Sequence, residues 1–236
     1  MRYAIYFTPP RHHPLTATAE RWLQRSAFDG PVASIHIPGF SETEVAQLTA
    51  EPRRYGFHAT IKAPFRLAGG TSAEALDEEL ASFVSDQEPF GVRLKVGRHN
   101  GTLALVADGA QPPELDRLAG AVVERFDRFR APLTPAEIAR REPDRLTPSQ
   151  RRNLDRWGYP YVFEDFRFHM TLTGKMPEEQ LDAMQAALEE IFNPVLQQPV
   201  EIAALALFTQ RSMDSPFFVE RVHAFGAARQ SGLASI

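Results

Sequence analysis

Phe57-His58-Ala59-Thr60-Ile61 and Phe168-His169-Met170-Thr171-Leu172 are one five-residue design written twice, phenylalanine-histidine-x-threonine-aliphatic, at a separation of 111 positions. Side chains alternate between the two faces of a strand. Each copy, read as a strand, therefore places its histidine and threonine on one face and its apolar residues on the other. Continued outward, the alternation puts Lys62 beside His58 and Thr60, and Arg167 and Thr173 beside His169 and Thr171. An apolar face must be covered by another layer. Two matching His–Thr faces are then left to look into one shared space, which is the expected cleft.

The flanking sequence supports a mixed architecture. Alternating, β-branched or aromatic runs predict strands at Tyr3–Thr8, Ser34–Ile37, Phe57–Phe65, Val92–Gly97, Thr102–Ala107, Phe166–Thr173, Glu201–Phe208 and Phe217–Phe225. Helical periodicity, opened in several places by Ser, Thr or Pro, predicts helices near Thr16–Phe28, Glu42–Thr49, Ser72–Ser85, Pro113–Phe129, Pro148–Arg156 and Pro177–Phe192. His99-Asn100-Gly101 between two strand runs reads as a hairpin turn, since Asn-Gly tolerates positive φ. The stretch 130–161, rich in proline and arginine, interrupts the rhythm and reads as a helical insertion within a single domain spanning 1–236. From Arg130 to Arg156 it carries seven arginines against four acids, either a solvated helix face or a cover for the site.

Composition narrows the chemistry. With 43% hydrophobic and 24% charged residues, the chain can bury a substantial core. No cysteine is present, which excludes disulfides, thiolate nucleophiles and sulfur-based zinc sites. No basic and apolar leader opens the chain and no run approaches a membrane span, so a soluble cytoplasmic protein is expected. A net charge of −4 argues against sequence-independent binding of a long nucleic acid, whereas a small phosphorylated ligand needs only a local positive site. No Gly-rich loop of the nucleotide-binding types occurs. His12-His13 lack nearby acidic partners and are not expected to hold a metal. His36, His99 and His223 lack a motif partner and read as structural or solvent-facing.

Two histidines facing one substrate can hold opposite protonation states near neutrality. One takes a proton from an attacking oxygen while the other gives one to a leaving oxygen. Thr60 and Thr171, each roughly 6–7 Å along its strand from its histidine, are placed to donate to phosphate oxygens. Lys62 is expected to add positive charge there and to take the part often given to a metal ion, so neither metal nor cofactor is expected. Tyr55, just ahead of the first motif, is a weaker candidate for the cleft mouth, as are Tyr159 and Tyr161. Arg167 and Thr173 are candidates for substrate contact.

The paired motifs, HATI and HMTL, resemble the signature of the two-histidine (2H) phosphoesterase superfamily. That resemblance implies a bilobal α+β fold, two pseudo-symmetric antiparallel sheets flanked by helices around a central cleft, with His58, Thr60, His169 and Thr171 as the catalytic set. More narrowly, RRYGFHATIKAPFRL, FRFHMTLTG and the MRYAIYFTP start look like a branch associated with phosphonate metabolism. This branch implies a small cyclic phosphate as substrate, with 5-phosphoribosyl 1,2-cyclic phosphate the candidate. Two further readings stay open: a nucleotide- or phosphate-binding module without turnover, and an RNA 2′,3′-cyclic phosphodiesterase or 2′-5′ RNA ligase-like enzyme. The oligomeric state is not legible.

Overall fold

The structure is a computed structural model, described over residues 1–226. In chain order its strands are β1 (Arg2–Phe7), β2 (Arg25–Ser26), β3 (Gly30–Pro31), β4 (Ala59–Phe65), β5 (Phe90–Val92), β6 (Leu94–His99), β7 (Thr102–Ala107), β8 (His169–Thr171), β9 (Val200–Ile202), β10 (Ala204–Gln210) and β11 (Phe218–Ala224). The α-helices are α1 (Pro14–Leu23), α2 (Glu42–Leu48), α3 (Ala50–Tyr55), α4 (Ala73–Ser85), α5 (Pro113–Arg125), α6 (Pro135–Ala139), α7 (Pro148–Trp157) and α8 (Glu178–Phe192). Seven strands form one sheet in the order β11-β10-β1-β4-β8-β7-β6, and the remaining four make the two-stranded ribbons β2-β3 and β5-β9. Every pairing is antiparallel.

The two expected sheets are the two halves of this single one. The half carrying the first motif, β11-β10-β1-β4, meets the half carrying the second, β8-β7-β6, edge to edge through the pair Ala59↔Met170. Joining the halves here satisfies backbone groups that two separate sheets would leave on exposed edges.

One face of the sheet is apolar and lies under helices. Ile5, Phe7, Ile61, Phe65, Leu103, Leu105, Met170, Leu205 and Leu207 are buried there with Leu15 and Trp22 of α1, Leu76 and Leu80 of α4, Leu115 and Val122 of α5, and Met184 and Leu188 of α8. The helical residues recur at three- and four-residue spacing, as an inward stripe requires. The opposite face carries a smaller cluster, Ala4, Tyr6, Ala27, Ala206, Phe208 and Phe217, on the first half only. The rest of that face stays open as the cleft.

Several boundaries depart from expectation. Helix α1 stops at Leu23 because Gln24 turns left-handed at φ 56°, and the next residues pair as β2 with β3. Ser34–Ile37 forms no strand. It lies between Pro31 and Pro38, neither of which has an N–H to give a ladder. Helix α3, just ahead of the first motif, was not expected. The Asn-Gly hairpin forms as read, with Asn100 and Gly101 at φ 51° and 79° joining β6 to β7.

The 130–161 stretch folds as α6, a short turn of 3-10 helix and α7. Both helices open on capping boxes, Thr134 with Glu137 and Thr147 with Gln150, which satisfy otherwise orphan amide groups. Arg66 holds the first of them through Glu137 at 3.0 Å. No helix among the described residues is long and apolar enough to cross a membrane.

Candidate active site

The pair Ala59↔Met170 fixes the geometry of the site. Extended one residue each way, its antiparallel register sets Thr60 across from His169 and His58 across from Thr171. The two His-x-Thr motifs are thus related by a local two-fold axis through that pair. Ala59 and Met170 are buried against the helices, so alternation sends all four polar side chains to the other face. His58, Thr60, His169 and Thr171 all line one cleft of about 640 Å³.

Both histidines are held in the same way. His58 Nδ1 lies 2.9 Å from the Gly56 carbonyl oxygen and His169 Nδ1 lies 2.7 Å from the Arg167 carbonyl oxygen. A carbonyl only accepts, so Nδ1 carries the proton in each ring and Nε2 faces the cleft. His58 Nε2 is 3.2 Å from Thr60 Oγ1. Each ring is also backed by an aromatic plate: Tyr6 stacks on His58 with centroids 3.9 Å apart, and His99 stacks on His169 at the same 3.9 Å.

Burial opposes a positive charge on either ring. It lowers the His58 pKa to about 4, with the Gly56 hydrogen bond acting in the other direction and a charge on His169 adding to the fall. Burial also lowers the pKa of His169, against the Arg167 hydrogen bond, and brings His99 to about 4 with help from His169. Without a ligand, the doubly neutral site dominates at neutral pH. An anion between the rings would act against this, since a nearby negative charge favours the imidazolium.

The remaining expected residues divide. Tyr55 lines the cleft and stacks against Phe217 at 5.2 Å. Arg167 lines it as well, with Nη1 donating to the Glu164 and Phe166 carbonyls, and so do Tyr159 and Tyr161. Lys62 requires a correction. It is 4% exposed, absent from this cleft, and its Nζ donates to the Val123 carbonyl at 3.2 Å with Asp127 at 3.6 Å. The pairing of β4 with β1 slips between Tyr6↔Thr60 and Ile5↔Lys62. That irregularity breaks the alternation one residue beyond the motif.

Thr173 lines the cleft, but with its hydroxyl engaged by the backbone. The Leu172 and Thr173 amides both donate to the Leu103 carbonyl, at 2.9 and 3.1 Å, so the strand bulges directly after the second motif. The Thr173 hydroxyl, fully buried at the back of the cleft wall, accepts the Leu103 N–H at 3.0 Å and ties β7 to the chain leaving β8.

The cleft also holds residues that sequence reasoning passed over. His99, read as structural or solvent-facing, is the plate behind His169. Only the fold-back of the Asn-Gly hairpin brings it there. Tyr6 shares a face of β1 with Arg2, a pattern that alternation could have exposed. Arg141 and Gln150 enter from the 130–161 stretch, and Arg98, Asn100 and Lys175 from the other side. His13, by contrast, caps α1 by accepting the Leu15 amide, and His223 pairs with Asp77 at 2.7 Å. Among the described residues, no three His, Cys, Asp or Glu side chains group closely enough to hold a metal ion.

The family described as "Protein of unknown function (DUF1045)" matches residues 60–218, well over half of the chain and including the whole second motif. The chain belongs to the DUF1045 family. Two curated proteins similar to this DUF1045 chain are each named "Ribose 1,5-bisphosphate phosphokinase PhnN". The one from Janthinobacterium sp. (strain Marseille) is 38% identical over 222 residues, 92% of this chain and 49% of that protein. The one from Laribacter hongkongensis (strain HLHK9) is 34% identical over 218 residues, 92% of this chain and 50% of that protein. The DUF1045 chain therefore spans about half the length of the curated relatives it matches. Among solved structures, E. coli LigT complexed with 3′-AMP aligns over 95% of this chain and 97% of that one at 13% identity, with a TM-score of 0.40. A likeness that loose carries no argument about function.

Proposed function

We propose that this chain is a phosphodiesterase that opens a small cyclic phosphate by acid–base catalysis between His58 and His169, without a metal ion. The observation that carries the reading is the two-fold arrangement about Ala59 and Met170, with both Nδ1 protons tied to backbone carbonyls and both Nε2 atoms turned to the cleft. A neutral Nε2 removes the proton from a water molecule as its oxygen bonds to phosphorus. The opposite ring, protonated, gives its proton to the alkoxide as the second P–O bond breaks. The product is a phosphomonoester with a free hydroxyl. Thr60 and Thr171 hydrogen-bond the non-bridging oxygens, where donors aimed at developing charge contribute most. By microscopic reversibility, acid and base exchange roles when the direction of reaction reverses.

A phosphorylated ribose is the substrate class we favour, with 5-phosphoribosyl 1,2-cyclic phosphate the first candidate. Support comes from the curated relatives, whose name refers to ribose 1,5-bisphosphate. This chain matches half of each relative and has no Gly-rich phosphate loop. We accordingly assign the named phosphokinase activity to the other half of those proteins and the phosphodiester chemistry to this one.

The test is phosphorus NMR turnover in excess EDTA, with wild type, His58→Ala and His169→Ala on a panel of 1,2-, 2′,3′- and 3′,5′-cyclic phosphates. Each substitution should reduce kcat by about 10²–10⁴-fold if both groups transfer protons. Full activity in either variant sinks the assignment. A second reading, a module that binds a phosphorylated ligand without turnover, draws on the depressed histidine pKa values, which leave the free site without its acid at neutral pH. Saturable binding with no turnover on the whole panel would favour it.

A further inference from the structure

The cleft continues past the two histidines on the side of His58, where it is lined by arginine and tyrosine. Arg2, on the same face of β1 as Tyr6, and Arg141, from the segment following α6, both line it there with Tyr55 and Tyr159. Arg2 donates through Nε to Gln210 at 2.8 Å, while its Nη2 is buried with no hydrogen-bond partner among the described residues. A buried guanidinium N–H left unpaired is costly, and more so than a neutral donor. Arg141 lies over the Tyr159 ring at 4.9 Å and has no acid within ion-pairing distance among the described residues. Its neighbours in the same segment differ in this respect, since Arg145 pairs with Glu142 and Arg151 with Asp144 at 3.1 Å each.

The two acids that line the cleft do not neutralise this pair. Asp165 is engaged by Ser149 at 2.7 Å and by Gln150 and Asn153 at 3.2 Å, and Glu51, among the described residues, makes no ion pair with either arginine. Tyr6, four residues from Arg2 on the same face of β1, lines the cleft together with both arginines. Two guanidinium groups with no ion-pair partner among the described residues thus line the cleft whose centre holds the His–Thr rectangle.

We propose that Arg2 and Arg141 form a second anion subsite, which grips a non-reacting phosphomonoester of the substrate while the scissile phosphodiester lies between His58 and His169. This rests on the phosphodiesterase reading of the centre and narrows its substrate to molecules carrying two phosphates, one cyclic and one terminal. Guanidinium groups suit the task because their planar donors match phosphate oxygens two at a time. A terminal phosphate would satisfy the orphaned Nη2 of Arg2 and neutralise Arg141 together. Binding energy from that remote group then serves to orient the cyclic phosphate.

The test pairs a binding measurement with a kinetic one. Isothermal titration with ribose 5-phosphate, which has the terminal phosphate and no cyclic one, is made on wild type, Arg141→Gln, Arg2→Lys and, as a charge control in the same segment outside the cleft, Arg145→Gln. Arg141→Gln should weaken binding by roughly tenfold or more, as expected for loss of a charge-assisted pair, while Arg145→Gln leaves it within about twofold of wild type. In turnover, Arg141→Gln should depress kcat/KM for 5-phosphoribosyl 1,2-cyclic phosphate and not for ribose 1,2-cyclic phosphate lacking the terminal group. Arg2→Lys keeps the charge but loses the fork, and should fall between wild type and Arg141→Gln. Equal losses on both cyclic substrates, or ribose 5-phosphate binding indifferent to Arg141, overturns the subsite. Arginine-dependent binding with no turnover of any cyclic phosphate leaves the subsite standing and removes the phosphodiesterase reading instead.

Discussion

At the scale of single residues, the site is a pair of rings whose charged forms burial opposes. With His58 near 4 and His169 below its ordinary value, lowering the pH from 8 populates the singly protonated pair that the proposed proton transfer requires. Protonation of the second ring removes the base. The kcat/KM profile should therefore rise as pH falls below about 6.5 and turn over toward pH 4, and the kcat profile should sit higher because bound phosphate favours the imidazolium. A kcat/KM that is flat from pH 5 to 8 would contradict this account. His99 is the other residue-scale test. Its stack on His169 restricts one ring and bonds nothing in the reaction. Ring stacking is worth about 0.5–1.5 kcal/mol, so His99→Ala should cost roughly two- to tenfold in kcat, with His99→Phe recovering most of it. Loss of activity in both variants alike would point to a proton-carrying role for His99 instead.

At the scale of elements, what matters is how each motif strand begins and ends. Gly56 closes α3 at φ 80°, a Cβ there would stand 2.6 Å from Ala27 Cβ, and its carbonyl holds His58 Nδ1. Gly56→Ala should destabilise the fold by about 1–3 kcal/mol, by strain and overpacking together, and should lower kcat even where the protein remains folded at the assay temperature. Thermal melts alongside kinetics separate the two effects. At the other end each strand bulges immediately after its threonine, which is why alternation read correctly through His-x-Thr and failed at Lys62, while Thr173 stays in the cleft wall with its hydroxyl tied to Leu103. Lys62 packs beneath α5 and shares Asp127 with Arg130. Because Asp127 keeps the arginine, Lys62→Met should shift stability by less than the roughly 3–5 kcal/mol of a broken isolated buried pair and leave kcat/KM within a few-fold. A large selective loss of kcat/KM would return Lys62 to the site.

At the scale of the whole molecule, stability draws on the same histidines to which the proposed activity is assigned. Burial holds the folded-state pKa of His58, His99 and His169 below the unfolded value of about 6.5. Between the two values the unfolded chain binds more protons, so stability rises with pH there and is lost as pH falls from about 6.5 toward 4. The melting temperature should drop across that interval, and less so with millimolar phosphate present; a melting temperature independent of pH from 7 to 4.5 would remove this linkage. The cleft pocket gathers Arg2, Arg98, Arg141, Arg167 and Lys175 in a chain whose formal net charge is −4. What the sequence determined by itself was the content of that pocket's centre: a five-residue pattern repeated with its polar and apolar faces in phase is local information, and strand geometry converts it directly into two His–Thr rows. It also determined the Asn-Gly hairpin and most of the helices, whose stripes are local too. Tertiary structure alone decided that the two rows meet across a single residue pair in one sheet, that His99 backs His169, that a bulge turns Lys62 away, and that Arg2 and Arg141 line one cleft from positions far apart in the chain. Each of these depends on register between distant segments, which is set by packing of the whole core and leaves no periodic trace in the sequence.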